Sequence, residues 1–188
     1  GAQRLRDGGG VDGVVEVEVT VQIHALKAGP VPLRIAFDGQ VLSRTVSVPE
    51  GFSSQRETVR IAKPKLWWPT GFGDQNLYEL EVSLGGKAET RRIGLREIEL
   101  ITDKDAAGSR FAFRVNGKDI YCRGSNWIPA DALPSAATPE LTEKLLQAAV
   151  DSNQNIIRVW GGGFYEQDFF YEICDRLGLM VWQDFMFA

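Results

Sequence analysis

The chain has 188 residues, of which 44% are hydrophobic and 24% charged, a composition typical of a globular protein with one large or two small domains. Its formal net charge of −4 argues against a surface that binds nucleic acid or an anionic membrane. No apolar run approaches the roughly 20 residues that a membrane-spanning helix needs.

Few residues are available for metal, nucleophilic or redox chemistry. His24 is the only histidine, so this chain alone cannot form a histidine-based catalytic triad or a multi-histidine metal site. Cys122 and Cys174 lie in unrelated segments and are expected to be free thiols. Residues 1–10 have basic side chains but no apolar stretch after them, so no signal peptide is expected. Cytoplasm and, for a bacterial protein, periplasm both fit the sequence.

Residues 1–102 carry the pattern of an antiparallel β-sandwich. In residues 14–25 apolar and polar side chains alternate, which predicts a strand with one buried face and one solvent face. His24 falls on the solvent face and is interpreted as a surface residue. Further strands are predicted at residues 31–37, 42–48, 57–61, 78–84 and 87–93, with a break between Ile93 and Ile98. Asp38-Gly39 and Gly85-Gly86 are typical of tight turns, and about seven short strands predict an immunoglobulin-like fold.

Trp67 and Trp68 lie in a loop that interrupts these strands. Two interpretations fit them: a platform on which a sugar stacks, or packing residues that close the end of the sandwich or a domain interface. The second is favoured, because a tryptophan buries a large apolar area and often forms a wedge between domains.

Residues 103–188 carry the pattern of a parallel α/β fold. The polar segment Asp103–Ser109 marks the predicted domain boundary, and Asn116-Gly117 predicts a tight hairpin. Thr138 and Pro139 are suited to begin a helix, and Gly178 is suited to end another. The predicted order is strand 120–124, helix 139–152, strand 155–160, helix 166–177 and strand 179–187. This β-α-β-α-β order predicts parallel strands that are covered on both faces.

Polar and aromatic side chains lie at the carboxyl ends of the last two strands. Arg158 and Trp160 belong to one strand, and Trp182, Gln183 and Asp184 to the next. Ligands bind at this edge of parallel sheets, so a site is predicted here. The alternatives stay open. Asp184 fits a structural cap or an acceptor for sugar hydroxyls, Arg158 fits a structural ion pair or a group that orients a carboxylate, and the tryptophans fit core packing or sugar stacking.

Gly161-Gly162-Gly163 lies between a strand and a helix, where a dinucleotide-binding turn would be found. The fingerprint G-x-G-x-x-G requires a third glycine, and this sequence has Glu166 there. An acidic residue at a helix N-terminus would also repel a pyrophosphate. Nucleotide binding is therefore not expected, and no cofactor or metal is predicted.

Four segments, in their order and spacing, resemble glycoside hydrolase family 2 and within it the β-mannosidase branch. They are LWWPTGFGDQNLYELEVSL (Leu66–Leu84), RRIGLREIEL (Arg91–Leu100), FRVNGKDIYCRGSNWIPADAL (Phe113–Leu133) and NIIRVWGGGFYEQDFFYEICDRLGLMVWQDFMFA (Asn155–Ala188). The resemblance implies a sugar-binding jelly roll, then an immunoglobulin-like sandwich, then a catalytic (β/α)8 TIM barrel. It makes residues 1–102 the sandwich and residues 103–188 a truncated first part of the barrel, with the other segments outside this chain.

The resemblance also implies a function. Members of this branch are retaining exo-glycosidases that remove terminal β-linked mannose from oligosaccharides or glycoconjugates, with two catalytic glutamates on later barrel strands. Neither glutamate is expected in this chain, so the chain by itself is expected to be inactive. By the same resemblance, Arg158 steadies the nucleophile, Trp160 forms an aromatic wall of the terminal-sugar subsite, and Asp184 binds mannose hydroxyls. Trp127 and Trp182 carry over as further substrate-binding residues.

Two alternative functions remain. One is another family 2 glycosidase, which would act on β-glucosaminides, β-galactosides or β-glucuronides. The other is a non-catalytic carbohydrate-binding or interaction module built on the sandwich.

Overall fold

A computed structural model describes residues 3–5, 13–131, 133 and 136–187. The chain folds into two compact units. The first contains the chain up to Lys65 together with Tyr78–Glu97, and the second contains Leu66–Leu77 together with the chain from Ile98 onward. The domain boundary predicted between residues 102 and 103 stays a prediction.

The described residues of the first unit form two antiparallel sheets. Its strands are β1 (Gln3–Leu5), β2 (Val14–Ala25), β3 (Gly29–Phe37), β4 (Gln40–Val48), β5 (Gly51–Ala62), β6 (Tyr78–Leu84) and β7 (Lys87–Ile93). One sheet has the order β1-β2-β5 and the other the order β4-β3-β6-β7. The described part of this unit therefore contains the six strands predicted for the β-sandwich, together with β1, which was not predicted.

The alternating side chains of β2 and β3 supply the core of this unit. Val15, Val17 and Leu33 are buried, while the polar residues between them are exposed or half-buried. The predicted turn between β3 and β4 is confirmed, since Asp38 and Gly39 have φ angles of 49° and 72°. Two consecutive positive φ angles match the twist of the paired strands in a two-residue hairpin.

Strand β5 is longer than predicted. The sequence pattern indicated a strand at residues 57–61, but β5 pairs with β2 from Val14↔Ala62 to Ala25↔Gly51. The backbone groups of β2 extend β5 through a polar stretch whose own side chains do not mark a strand. At this end Phe52 stacks on His24 with ring centroids 4.3 Å apart, and His24 is exposed, as predicted.

A carboxylate is buried in the first unit. Glu57 of β5 faces the same side as the core residues Val59 and Ile61, and only 6% of its side chain is exposed. Its Oε2 lies 3.3 Å from Nη1 of Arg44 on β4, and its Oε1 accepts a hydrogen bond from Nε2 of Gln55 at 3.2 Å. Because β4 and β5 belong to different sheets, this ion pair links the two sheets.

The described part of the second unit contains three sheets and two helices. Its elements are β8 (Ile98–Ile101), β9 (Lys104–Asp105), β10 (Gly108–Ser109), β11 (Ala112–Val115), β12 (Lys118–Ile120), β13 (Gly124–Trp127), α1 (Pro139–Asp151), β14 (Ile156–Val159), α2 (Asp168–Leu177) and β15 (Met180–Gln183). Strands β12-β11-β8 and β10-β9 form antiparallel sheets, and β13-β14-β15 form a parallel sheet. The predicted alternation of parallel strands and helices from β13 to β15 is confirmed.

The first parallel strand was predicted at the wrong place. It lies at Gly124–Trp127 rather than at residues 120–124, because Ile120 ends the hairpin strand β12. Gly124 allows the new strand to approach β14 closely. A Cβ atom at this position would lie 2.0 Å from the carbonyl oxygen of Ile156.

Two further boundaries differ from the prediction. Helix α2 begins at Asp168 rather than at residue 166, and β15 ends at Gln183 rather than at residue 187. In each case a polar residue beside the boundary forms a tertiary hydrogen bond instead. Glu166 accepts one from Trp127, and Asp184 accepts two from Arg158.

Both faces of the parallel sheet are covered. On one face, α1 and α2 pack on a buried cluster formed by Trp127, Leu146, Ile157, Val159, Phe170, Ile173, Cys174 and Leu179. On the other face, the buried cluster consists of Trp67, Val115, Ile120 and Met180. Trp67 is fully buried, which confirms the packing interpretation for this residue.

The loop Leu66–Leu77 also completes the end of helix α2. Nε1 of Trp67 donates a hydrogen bond to the carbonyl oxygen of Asp175 at 2.7 Å, and Oγ1 of Thr70 donates one to that of Leu177 at 2.6 Å. The last carbonyl groups of a helix have no partner within the helix, so these contacts satisfy them. Gly178 ends α2 with a φ of 79°, as predicted.

Candidate functional site

The register of the parallel sheet decides which side chains share a face. Asn126 of β13 is paired with Arg158 of β14, which is paired with Trp182 of β15. Successive residues of a strand point to opposite faces, so these three side chains lie on one face near the carboxyl edge. Their neighbours Trp127 and Val159 lie on the face that packs against the helices.

Arg158 and Asp184 form the centre of this edge. The guanidinium donates from Nε to Oδ1 of Asp184 at 3.2 Å and from Nη2 to Oδ2 at 2.7 Å. Its Nη1 donates to Oδ1 of Asn126 at 3.3 Å. The backbone N–H of Gly161 donates to Oδ2 of Asp184 at 3.3 Å. One carboxylate therefore joins the ends of β14 and β15 and the turn that follows β14.

This arrangement is suited to bind a neutral polar group. Arg158 neutralises the charge of Asp184, and the remaining N–H groups of the guanidinium have no partner among the described residues. The Arg158 side chain is 43% exposed and the Asp184 side chain 19% exposed, so both are partly accessible to solvent. The pair offers donors and an acceptor together without a net charge.

Trp160 lies directly after β14 and is 41% exposed. Its backbone N–H donates to the carbonyl oxygen of Trp127 at 3.0 Å, which continues the pairing with β13. Its ring lies against Gly162, where a Cβ atom would be 2.1 Å from the ring. A Cβ at Gly161 would lie 2.6 Å from the carbonyl oxygen of Phe185. Gly162 thus allows the turn to pack closely against the Trp160 ring, and Gly161 allows it to pack against the backbone of Phe185.

Trp182 is 40% exposed and lies beside two phenylalanines. Its ring centroid is 5.6 Å from that of Phe111 and 6.1 Å from that of Phe113. The register puts Trp182 next to Arg158 on the same face. One part of the indole is therefore packed, and another remains open beside the ion pair.

The structure does not bring Trp127 to this group. Its side chain lies on the helix-facing side, 8% exposed, with its ring centroid 5.1 Å from that of Phe170. Its Nε1 donates to Oε1 of Glu166 at 2.9 Å. Trp127 therefore packs behind the sheet, while the other four predicted site residues lie at the open edge or on the strand face next to it.

Asn126 was missed in the sequence. The prediction used Trp127, its neighbour, although the two point to opposite faces. Two facts together identify Asn126: side chains alternate between the two faces of a strand, and Asn126 is paired in register with Arg158. That register depends on where β13 begins, which the sequence pattern placed wrongly.

Asn155 was also missed as a structural residue. It is fully buried, its Nδ2 donates to the carbonyl oxygen of Tyr121 at 3.1 Å, and its Oδ1 accepts from the N–H of Arg123 at 2.9 Å. Its own carbonyl oxygen accepts from the N–H of Met180 at 2.9 Å. Asn155 thus ties together all three parallel strands at their amino ends.

The described residues hold no cluster of three or more histidine, cysteine or acidic side chains that could bind a metal ion. No helix in this part of the chain is long and apolar enough to cross a membrane. Burial raises the pKa of the Cys174 thiol to about 12 and also raises the pKa of Cys122. Neither thiol is therefore activated as a nucleophile.

Comparison with known proteins adds independent evidence. Residues 10–96 match the family model described as Glycosyl hydrolases family 2. A β-mannosidase B of Emericella nidulans is 40% identical over 183 residues, which are 95% of this chain and 21% of that protein. The crystal structure of a β-D-mannosidase from Dictyoglomus thermophilum is 37% identical with a TM-score of 0.85, covering 99% of this chain and 24% of that one.

A more distant solved structure is the exo-chitosanase of Amycolatopsis orientalis, 25% identical with a TM-score of 0.78 over 97% of this chain and 21% of that one. The chain thus spans about a fifth of the length of the curated relatives it matches. The resemblance drawn from the four sequence segments is confirmed. Residues 10–96 thus match the model of glycosyl hydrolase family 2, and the chain is similar over most of its length to β-mannosidases.

Proposed function

We propose that this chain is part of a retaining exo-β-mannosidase and supplies one side of the subsite for the terminal sugar. The observation that carries the proposal is the Arg158–Asp184 pair at the carboxyl edge of three parallel strands. Carboxyl edges are where barrel enzymes bind their substrates. The similarity to β-mannosidases from two sources supports the same function.

We propose that residues 1–102 form an immunoglobulin-like sandwich and that residues 103–188 form the first β-α-β-α-β part of a (β/α)8 barrel. The parallel order β13-β14-β15, with α1 and α2 on one face, supports this assignment. The jelly roll and the remaining barrel strands come from segments outside this chain.

Each site residue then has a role in holding the sugar. Asp184 accepts hydrogen bonds from mannose hydroxyls, and Trp160 and Trp182 present indole faces to the C–H side of the ring. The free N–H groups of Arg158 steady the carboxylate nucleophile, which a later strand supplies. A retaining enzyme needs two carboxyl groups roughly 5–5.5 Å apart, and both belong to the segments outside this chain.

The charge of the edge favours mannose over charged sugars. An amino sugar would require an unpaired carboxylate at the site, and a uronic acid would require an unpaired cation. At this edge Arg158 and Asp184 neutralise each other. A neutral hexose can use the same donors and acceptor without leaving a charge unpaired.

The test is hydrolysis of aryl β-mannosides by the complete protein that contains this chain. We expect turnover by that protein, no turnover by the chain alone, and a loss of about 100-fold or more in kcat/KM for Asp184→Asn or Arg158→Met. Glu143→Gln, at a surface pair between the helices, is the control and should retain activity. Absence of turnover in the complete, folded protein would contradict the proposal.

A second candidate is a β-glucosaminidase, which the similarity to an exo-β-D-glucosaminidase favours, with 25% identity and a TM-score of 0.77. A panel of aryl β-mannoside, β-glucosaminide, β-galactoside and β-glucuronide substrates separates these activities. The β-mannosidase assignment requires the highest kcat/KM for the mannoside. A higher value for the glucosaminide would select the second candidate.

A further inference from the structure

We propose that Tyr171 is a positioning residue, whose hydroxyl group holds Gln183 and through it Asp184 at the carboxyl edge of the parallel sheet. The proposal rests on the function proposed above for Asp184. It concerns residues on the helix-facing side of the sheet, behind the sugar-binding face, where no substrate contact is expected.

The hydrogen bonds form a continuous path from helix α2 to the site. Oη of Tyr171 donates to Oε1 of Gln183 at 2.9 Å, and Nε2 of Gln183 donates to the carbonyl oxygen of Asp184 at 2.9 Å. The carboxylate of Asp184 in turn accepts from Arg158 and from the N–H of Gly161. Tyr171 therefore reaches the backbone of Asp184, whose side chain forms the ion pair, through one intervening side chain.

Glu166, in the loop after β14, lies close enough to Tyr171 for its charge to act on the hydroxyl group. The Glu166 carboxylate accepts from Nε1 of Trp127 at 2.9 Å. The loop after β14 and the end of β13 therefore lie beside the same tyrosine. Burial, with the nearby charge of Glu166, raises the pKa of Tyr171, so its hydroxyl keeps the proton that it donates to Gln183.

These hydrogen bonds hold Asp184 at the point where the chain leaves the sheet. Beyond Gln183 the chain leaves the sheet, and Asp184 is held by its backbone N–H, which donates to the carbonyl oxygen of Val159 at 3.1 Å, and by its carboxylate. The amide of Gln183 fixes the carbonyl side of the same residue. Without it, the peptide after Asp184 is free to rotate, which moves the carboxylate relative to Arg158.

The first experiment measures amide hydrogen exchange in this chain, with Gly161 as the reporter. Its N–H donates to Oδ2 of Asp184, so its protection reports the position of that carboxylate. We expect Tyr171→Phe to speed exchange at Gly161 by about tenfold, the equivalent of one net hydrogen bond. The N–H of Met180, bonded to Asn155 at the opposite edge of the sheet, should keep its rate.

Two further variants keep the result interpretable. Tyr165→Phe removes a hydroxyl from an exposed tyrosine in the loop before α2 and should leave Gly161 unchanged. Gln183→Glu retains an acceptor for Tyr171 but loses the donor to Asp184, and should speed Gly161 exchange as Tyr171→Phe does. Unchanged Gly161 exchange in either Tyr171→Phe or Gln183→Glu overturns the proposal, as does equal acceleration at Gly161 and Met180.

The second experiment measures kinetics of the complete protein. Tyr171→Phe should lower kcat/KM for an aryl β-mannoside by about two- to tenfold, whereas Tyr165→Phe should leave kcat/KM unchanged. Equal kcat/KM for Tyr171→Phe and the wild type, in an enzyme that hydrolyses the mannoside, overturns the positioning role. A protein that hydrolyses no mannoside contradicts the proposed function instead, and the exchange data then decide whether Tyr171 holds Asp184.

Discussion

Arg158 and Asp184 join the ends of two neighbouring parallel strands through paired hydrogen bonds, from Nε to Oδ1 at 3.2 Å and from Nη2 to Oδ2 at 2.7 Å. This planar arrangement requires a guanidinium, because a lysine ammonium acts as a point charge and cannot match both carboxylate oxygens. The pair therefore contributes both to the stability of the edge and to the shape of the candidate site.

Replacing Arg158 by lysine tests the structural part of that contribution. We expect Arg158→Lys to lower the free energy of unfolding by about 1 kcal/mol, since solvent around the half-exposed guanidinium weakens the pair. Urea unfolding followed by tryptophan fluorescence measures the change. Arg176→Lys, in the exposed pair between Arg176 and Glu143, is the matched control and should cost less than about 0.5 kcal/mol. Equal losses in the two variants would show that the paired geometry has no special value.

Because the carboxylate of Glu57 is buried, removing its partner Arg44 should destabilise the chain more than removing the charge of Glu57. Arg44→Met leaves a nearly buried carboxylate with only Gln55 as its partner, and should destabilise the chain by about 1–2 kcal/mol. Glu57→Gln removes the charge that needs a partner, and should cost less than about 1 kcal/mol. Chemical denaturation of both variants and of the double variant gives the coupling free energy between Arg44 and Glu57. A larger loss for Glu57→Gln than for Arg44→Met would contradict this explanation.

Cys174 predicts a loss of stability at alkaline pH. Burial raises the pKa of its thiol from 9.0 to about 12, and the charges of Asp175 and Glu166 add to the effect. The folded chain therefore holds this proton more tightly than the unfolded chain. The contribution of Cys174 is complete below about pH 9 and falls as pH rises toward 12, by about 1.4 kcal/mol for each pH unit.

The measurement compares the wild type with Cys174→Ala at several pH values. The stability difference between them should shrink by about 1–2 kcal/mol between roughly pH 9 and pH 10.5, because other titrating groups cancel in the difference. A difference independent of pH would mean that the thiol of the folded chain ionises as readily as that of the unfolded chain.

Removing the side chain of Asn155 should greatly reduce the stability of the chain, because this side chain joins the amino ends of the parallel strands. Asn155→Ala removes the partners of the Arg123 N–H and the Tyr121 carbonyl group at a fully buried position, and should cost about 2–3 kcal/mol. Gln147→Ala, which removes an exposed hydrogen bond on α1, should change stability by less than about 0.5 kcal/mol. Thermal unfolding followed by circular dichroism measures both variants. A loss below about 1 kcal/mol for Asn155→Ala would show that water replaces these bonds.

Local chemistry made several elements predictable from the sequence. The alternation along β2, the positive-φ residues Asp38-Gly39 and the helix end at Gly178 were all confirmed. Each depends on neighbours in the chain, so each can be read from a short segment. Elements supported by distant partners were predicted less well. β5 takes its full length from β2, and β13 begins where Gly124 meets Ile156.

The sequence by itself determined the resemblance to glycoside hydrolase family 2, the strand-helix alternation and four residues at or beside one edge of a parallel sheet, because motifs and periodicity are properties of consecutive residues. Only the tertiary structure decided that Asn126 rather than Trp127 reaches Arg158, and that Glu166, Tyr171 and Gln183 lie behind the site. These contacts depend on strand register, where a shift of one residue moves every side chain to the opposite face. Register is set by long-range pairing and packing, which a single sequence does not encode in any short pattern.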